Sequence, residues 1–234
     1  MQANIVLKQD EALHFLQNMQ SGSVDLVVCD PPYLMQESGG GGFYAKENKK
    51  HYDKITQDKS LLMQGFDFRI LDEVRRVMKV LNAYFFCNAK LLQALLEYFK
   101  NDKFDVLVYH KLNALPAFNN KYLSDLEYIV FVCNDRTLFH SDYKSASKVF
   151  SMNIPKKYSA HPAEKPLKII ETLIKNSSKK GDLVLDMFAG SGTTAVACKS
   201  LKRSFVGCEV KEEFYNMALN RLEYVQTSFD FDMN

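Results

Sequence analysis

An acid, two prolines and an aromatic residue stand together at Asp30-Pro31-Pro32-Tyr33. They directly follow the apolar run 24–29, which is typical of a buried strand. That strand must end here, because proline has no N–H for a sheet ladder and restricts φ to about −65°. A carboxylate, carbonyls and a ring are therefore expected at the carboxyl end of a strand, where open α/β sheets bind ligands. An ordinary turn explains the tetrapeptide alone equally well, so other segments must decide.

A second candidate site lies at the turn Phe188-Ala189-Gly190-Ser191-Gly192, which follows Asp186 at the end of another apolar run. Glycines let the backbone approach a ligand closely, and a predicted helix begins directly afterwards. Glu209 ends the next predicted strand, where an acid can accept both hydroxyls of a ribose.

The same turn formally fits the dinucleotide fingerprint, with Gly190, Gly192 and Ala195 at the required spacing. Two features count against a nicotinamide cofactor. We expect too few residues after Glu209 for a second nucleotide-binding half, and Phe188 and Ser191 crowd a turn that should admit pyrophosphate. An adenosine-bearing ligand without phosphates fits better.

The elements that must position these residues alternate between strands and helices, which predicts one α/β domain over residues 1–234. Strands are predicted at 5–7, 24–29, 83–87, 104–109, 126–132, 183–187 and 204–209. Helices are predicted at 11–19, 70–80, 91–99, from 167, at 195–201 and at 214–225. Asp10 then also follows a strand, and helix capping is an alternative role for it.

Two segments do not fit this alternation. Residues 34–60 contain four consecutive glycines at 39–42 and few aliphatic residues, which predicts a mobile loop that closes over the Asp30 site. Residues 134–160 interleave basic and aromatic residues and are interpreted as a target-recognition insert that meets nucleic acid. A passive loop and an ordinary surface excursion are the respective alternatives.

The composition supports a packed core, since 47% of the residues are hydrophobic, with 17 Phe and 12 Tyr. A net charge of +2 is compatible with nucleic-acid binding but is no evidence for it. The five cysteines contain no closely spaced pair, which predicts buried thiols in a reducing compartment and no metal site. Because no leader or membrane-spanning run is evident, a cytoplasmic protein is expected.

Three motifs resemble those of the amino-methylating DNA methyltransferases that use S-adenosylmethionine. In chain order they are Asp30-Pro31-Pro32-Tyr33, the segment His161-Pro162-Ala163-Glu164-Lys165-Pro166, and the turn from Asp186 to Gly192. Their order is similar to that of the β group of this family. The similarity covers nearly the whole chain, from residue 5 to 222. It implies a Rossmann-like methyltransferase fold, circularly permuted, with a mainly parallel seven-stranded sheet and helices on both faces.

The resemblance assigns catalysis to Asp30, Pro31, Pro32 and Tyr33. An exocyclic base amine is a poor nucleophile, because its lone pair is delocalised into the ring. The Asp30 carboxylate and the Pro31 carbonyl can each accept one N–H of that amine, so that its lone pair points at the methyl donor. Tyr33 would stack on a base that has been flipped out of the duplex.

The resemblance also assigns cofactor-binding residues. The methionine side of S-adenosylmethionine would contact the set Asp186, Phe188, Ala189, Gly190, Ser191 and Gly192. Glu209 would hold the ribose, Asp10 would lie near the adenine, and Lys165 would reach the cofactor from a neighbouring helix. A surface position is the alternative for Lys165, and a structural role is expected for His161.

Within the family that the chain resembles, aspartate rather than serine at position 30 tends to go with adenine N6 as the methylated atom, so the resemblance implies methylation of adenine in a specific short sequence of double-stranded DNA. Methylation of cytosine N4, methylation of a protein or RNA amide, and a non-catalytic DNA-binding module are the alternatives. The resemblance also allows a homodimer and a restriction endonuclease counterpart as partners.

Overall fold

A computed structural model describes residues 3–32, 66–114, 122–154 and 164–231, with side chains of the last helix described up to Tyr224. Asp30, Pro31 and Pro32 lie within these ranges. Tyr33, His161 and the predicted loop 34–60 lie outside them. Within the described ranges, no helix is both long and apolar enough to cross a bilayer.

Eight strands form one sheet in the order β1-β8-β7-β2-β3-β5-β4-β6. Their bounds are β1 Ile5–Gln9, β2 Leu26–Cys29, β3 Asn82–Cys87, β4 Lys103–Lys111, β5 Leu126–Cys133, β6 Val149–Met152, β7 Leu183–Asp186 and β8 Ser204–Glu209. Neighbouring strands are parallel except where β5 pairs with β3 and β4. The predicted α/β class and mainly parallel sheet are confirmed.

The predicted number of seven strands is wrong, because β6 is an eighth strand inside the proposed insert 134–160. It pairs in parallel with the end of β4, from Val108 to Lys111. With only four residues and an alternation of exposed and half-buried side chains, β6 contains no apolar run that sequence periodicity could detect. Part of the insert therefore extends the sheet.

Helices cover both faces of the sheet, as predicted. They are α1 Ala12–Gln17, α2 Arg69–Val77, α3 Ala89–Tyr98, α4 Leu167–Ser177, α5 Thr193–Leu201 and α6 Glu212–Phe231. Successive strand residues point to opposite faces, so Val27 of β2 packs in the core with α1, α2 and α3, whereas Val28 packs in the core with α4 and α5.

The strand directions bring one set of chain segments to a common edge. All strands except β5 run the same way, so the last residues of β1, β2, β4, β7 and β8 lie at the carboxyl edge of the sheet. Because β5 runs in reverse, its first residues, including Glu127, reach that same edge. The segments after β2, β7 and β8, which carry the candidate residues, therefore converge.

Candidate active site

Asp30 follows β2, which lies between β7 and β3 in the middle of the sheet. Its Oδ2 accepts a hydrogen bond from Lys165 Nζ at 2.5 Å. Its Oδ1 is buried and has no hydrogen-bond partner among the residues that the structure describes. A buried carboxylate oxygen without a donor is costly, so this atom is a candidate acceptor for a ligand N–H. Pro31 is buried and Pro32 is exposed beside it.

Lys165 joins Asp30 to a second carboxylate. Its Nζ lies 3.0 Å from Glu127 Oε1 and 5.5 Å from the centroid of the Phe86 ring. Glu127 Oε2 in turn lies 3.5 Å from Lys111 Nζ. The four charged groups alternate in sign along this line, which is how charges become tolerable in a buried position. The structure thus places Lys165 against the Asp30 carboxylate.

The pKa of Asp30 is raised to about 6 by burial, against the lowering effect of Lys165; Glu127 raises it further. Burial disfavours the charged form of a carboxyl, whereas a neighbouring ammonium favours it. Asp30 is therefore mostly ionised at neutral pH and can accept a proton without a large energetic cost.

Sequence reasoning missed Glu127 and Lys111. The only available signal was one acid inside the otherwise apolar segment 126–132, which is unusual because a charged residue is seldom buried in a strand without a partner. The partner, Lys165, is remote in sequence, and periodicity carries no information about such a pair.

The second half of the site is the turn after β7. Asp186 is buried, and its Oδ1 accepts the Phe188 N–H at 3.0 Å. Glu209 Oε2 accepts the Gly190 N–H at 3.0 Å, so the acid at the end of β8 holds the turn directly. Gly192 has a φ of +79°, and a Cβ there would lie 3.0 Å from Ala218 Cβ, so this position requires glycine.

Ser191 of the turn is held from the last helix. Arg221 Nη1 lies 3.3 Å from both the carbonyl and the hydroxyl oxygen of Ser191 and 2.8 Å from Glu164 Oε1. Ala189 is buried and Phe188 is half-buried. Arg221 was not predicted from the sequence, and it connects the glycine turn to the segment that carries Lys165.

Asp10 lies beside Glu209, since its N–H donates to the Glu209 carbonyl at 3.2 Å. The Asp10 carboxylate accepts from the Glu11 N–H and from His14 Nδ1, each at 2.8 Å. The side chain that caps α1 belongs to Glu11, which accepts the Leu13 and His14 N–H groups. Capping by Asp10, the alternative interpretation, is therefore wrong.

Burial raises the pKa of Asp186 to about 7, opposed by hydrogen bonds from Thr194 and Phe188; Asp30 and Glu209 raise it further. The folded protein then keeps a proton that the unfolded chain releases near about pH 4. Because the folded state binds more protons between these values, the free energy of unfolding falls as pH rises.

Asp186→Asn removes this titration. We expect the stability of the variant relative to the wild type to grow between about pH 4 and pH 7, by up to about 1.4 kcal/mol per pH unit, and to level off above that range. Urea denaturation of both proteins across this range measures the difference. A difference that stays constant with pH would contradict a raised pKa at Asp186.

The carboxyl edge thus combines two chemical properties. Asp30 presents an acceptor for an amine, while Asp186 and Glu209 place further carboxyl groups around a turn with glycine at Gly190 and Gly192. Carboxylates favour a ligand that donates hydrogen bonds or carries positive charge. Among the described residues, no group of three or more His, Cys, Asp or Glu side chains could hold a metal ion.

Comparison with known proteins identifies similar chains. The family model N6_N4_Mtase, described as DNA methylase, matches residues 24–220. The type II methyltransferase M2.DpnII of Streptococcus pneumoniae is 28% identical over 243 residues, which cover 94% of this chain and 90% of the relative.

Two solved structures share the fold. The crystal structure of the M1.HpyAVI–SAM complex has a TM-score of 0.69 at 22% identity and covers 93% of this chain and 98% of that one. The cytosine-N4-specific PvuII DNA methyltransferase has a TM-score of 0.69 at 14% identity, and the match covers 98% of this chain and 93% of that one. The methyltransferase fold is thereby confirmed, and the circular permutation stays a prediction.

Proposed function

The chain belongs to the DNA methylase family, and from that premise we propose that it transfers a methyl group from S-adenosylmethionine to the N6 amine of adenine in a specific short sequence of duplex DNA. The observation that carries the proposal is Asp30, with Oδ2 engaged by Lys165 and Oδ1 buried without a donor among the described residues.

Asp30 and Pro31 would prepare the nucleophile. Oδ1 accepts one N–H of the target amine and the Pro31 carbonyl accepts the other, which turns the nitrogen lone pair out of the base plane. Positioning and preorganised charge are the main contributions of the protein to such a transfer. The raised pKa of Asp30 suits it to receive the proton that the methylated nitrogen must lose.

The residues at the other half of the site fit S-adenosylmethionine, which supplies a methyl group on a positively charged sulfur. Glu209 would accept the ribose hydroxyls, and Asp10 would lie near the adenine. Asp186 and the turn 188–192 would line the methionine side, where glycine at 190 and 192 leaves room for close approach. The carboxyl groups at this edge favour a cationic ligand.

The target base must leave the duplex to reach Asp30, because its amine is otherwise engaged in base pairing. We propose that Tyr33 stacks on the flipped base and that residues 34–60 close over it. We also propose that residues 134–160 take part in target recognition. The exposed side chains of Leu138, Phe139 and Tyr143, next to lysines such as Lys144 and Lys148, support a nucleic-acid contact at this segment.

The test is to incubate the protein with duplex DNA and methyl-labelled S-adenosylmethionine, then digest the DNA to nucleosides. The expected product is the nucleoside of N6-methyladenine. Recovery of N4-methylcytosine would overturn the assignment of the base but not of the reaction, and this second candidate is kept because the matching family model covers both kinds of enzyme. Absence of label in DNA would contradict the enzymatic function.

The cellular context is part of the proposal. All five cysteines are free thiols, which supports a reducing compartment such as the cytoplasm. Similarity to a type II methyltransferase supports a restriction endonuclease as counterpart, whose cleavage this methylation would prevent. The homodimer stays a prediction, which sedimentation analysis at several protein concentrations would test.

A further inference from the structure

Lys165 is buried between two carboxylates that come from different parts of the sheet. Its side chain is 8% exposed, and that of Glu127 is 7% exposed. Asp30 lies at the end of β2, whereas Glu127 lies at the start of the reversed strand β5. An ammonium in such a position loses most of its hydration, and the two carboxylates compensate for that loss.

The ion pair fixes the plane of the Asp30 carboxylate. The terminal torsion of an aspartate is broad, so an unheld carboxylate plane can rotate. Lys165 Nζ engages Oδ2, and rotation of the plane away from this orientation would break that contact. The second oxygen, Oδ1, is thereby kept in its buried position, where we propose that it receives the target amine.

Glu127 controls Lys165 in the same way. Without Glu127, the lysine side chain could move its ammonium away from Asp30, since it is built from a flexible four-carbon stem. Glu127 Oε1 fixes the opposite side of the ammonium, and Lys111 compensates the charge of Glu127 from β4.

We propose that Lys165 and Glu127 are positioning residues for Asp30, with Lys165 holding Oδ2 so that Oδ1 faces the target amine and Glu127 holding Lys165. This inference rests on the proposed methyl transfer and gives Lys165 a role toward the target base in place of a cofactor contact. Among the residues that the structure describes, the other titratable groups around the pair are Cys29 on β2, Cys87 on β3, Tyr109 and Lys111 on β4, and Asp186 on β7.

The first test follows the Asp30 carboxyl directly. Carbon-13 NMR of protein labelled at aspartate carboxyl carbons gives its titration, and the signal is assigned by its loss in Asp30→Asn. In Lys165→Met the midpoint is expected to rise by about one pH unit or more, because a nearby positive charge is lost. In Glu127→Gln it is expected to rise by less, because the ammonium released by Glu127 moves away from Asp30 while one negative charge is also lost. A fall would show that Glu127 does not hold Lys165 in place.

A rise of the Asp30 midpoint in both variants separates positioning from simple loosening of the site. Entry of water into a damaged site would lower the Asp30 midpoint in both variants, because burial raises it in the wild type. An unchanged or lowered midpoint in Lys165→Met would overturn the proposal. This measurement needs no enzymatic turnover, so it decides the positioning role even if the wild type transfers no methyl group.

The second test uses methyl transfer. Both variants are expected to lower kcat at least about 10-fold, with the Kd for S-adenosylmethionine unchanged and the acidic limb of the pH profile shifted as in the titration. Lys165→Arg should recover part of kcat because it keeps the charge. A loss of cofactor affinity in Lys165→Met, with kcat preserved, would overturn the proposal in favour of a cofactor contact.

Lys79→Met is the matched control. Lys79 Nζ forms an ion pair with Asp25 at 2.8 Å, just before β2 begins and therefore at the opposite edge of the sheet. Like Lys165→Met, the variant Lys79→Met removes one positive charge through replacement of a lysine by methionine. Neither the Asp30 midpoint nor kcat should change in this variant, and a change equal to that of Lys165→Met would count against a specific pair.

Discussion

Asp30→Asn is expected to lower kcat for methyl transfer by about 10²- to 10⁴-fold, with little change in the Kd for S-adenosylmethionine. The asparagine amide replaces one carboxylate oxygen by an N–H donor. If the asparagine N–H faces the target amine, the amine loses its hydrogen-bond acceptor. If it faces Lys165, two hydrogen-bond donors are brought together, which is unfavourable. The variant also has no charge with which to stabilise the positive charge that develops on the nitrogen.

Single-turnover methyl transfer at saturating cofactor measures this effect on the chemical step, and calorimetric titration measures cofactor binding. Asp25→Asn is the matched control, because Asp25 precedes the same strand at its other end. Its carboxylate contacts Lys79 and the Leu183 N–H, so its loss affects stability without touching the site. Wild-type kcat in Asp30→Asn would refute the assigned role.

Gly207→Ala is expected to reduce the free energy of unfolding by about 3 kcal/mol and to weaken cofactor binding. A Cβ at Gly207 would lie 2.4 Å from the Asp186 carbonyl oxygen and 2.5 Å from Cζ of Phe205. Gly207 is the register partner of Asp186, so β7 and β8 must separate to admit the methyl group. That movement displaces Asp186 and Glu209 together.

Gly22→Ala separates this steric effect from the general cost of replacing a glycine. Gly22 has a φ of +64°, and a Cβ there meets nothing within 4 Å, so only the left-handed backbone conformation is penalised, by about 1 kcal/mol. Urea denaturation of both variants gives the comparison. A cost at Gly207 no larger than that at Gly22 would show that the strands adjust without strain.

The fold could be predicted where burial on both faces produces continuous apolar runs. The strand predicted at 204–209 has those bounds in the structure, and the order of strands and helices around it is as expected. The prediction failed at β6, the last strand in the described sheet, whose side chains are exposed or half-buried and therefore form no apolar run.

The candidate site was predictable to the extent that strand ends determine it. Asp30, Asp186 and Glu209 each end or follow a strand, and parallel strands bring their ends to one edge. The contacts of Lys165 and Arg221 could not be foreseen, because they join residues far apart in sequence through side-chain geometry. The sequence shows each charged residue, but it does not show the oppositely charged partner that stabilises that residue in a buried position.

Arg221 has a mechanical consequence for the whole site. Its guanidinium joins Ser191 in the glycine turn to Glu164, and Glu164 is covalently adjacent to Lys165, which holds Asp30. A displacement of the turn would thereby reach the Asp30 carboxylate through one side chain. We therefore expect binding at the two proposed substrate sites to be energetically linked through helix α6, which contributes no reacting group.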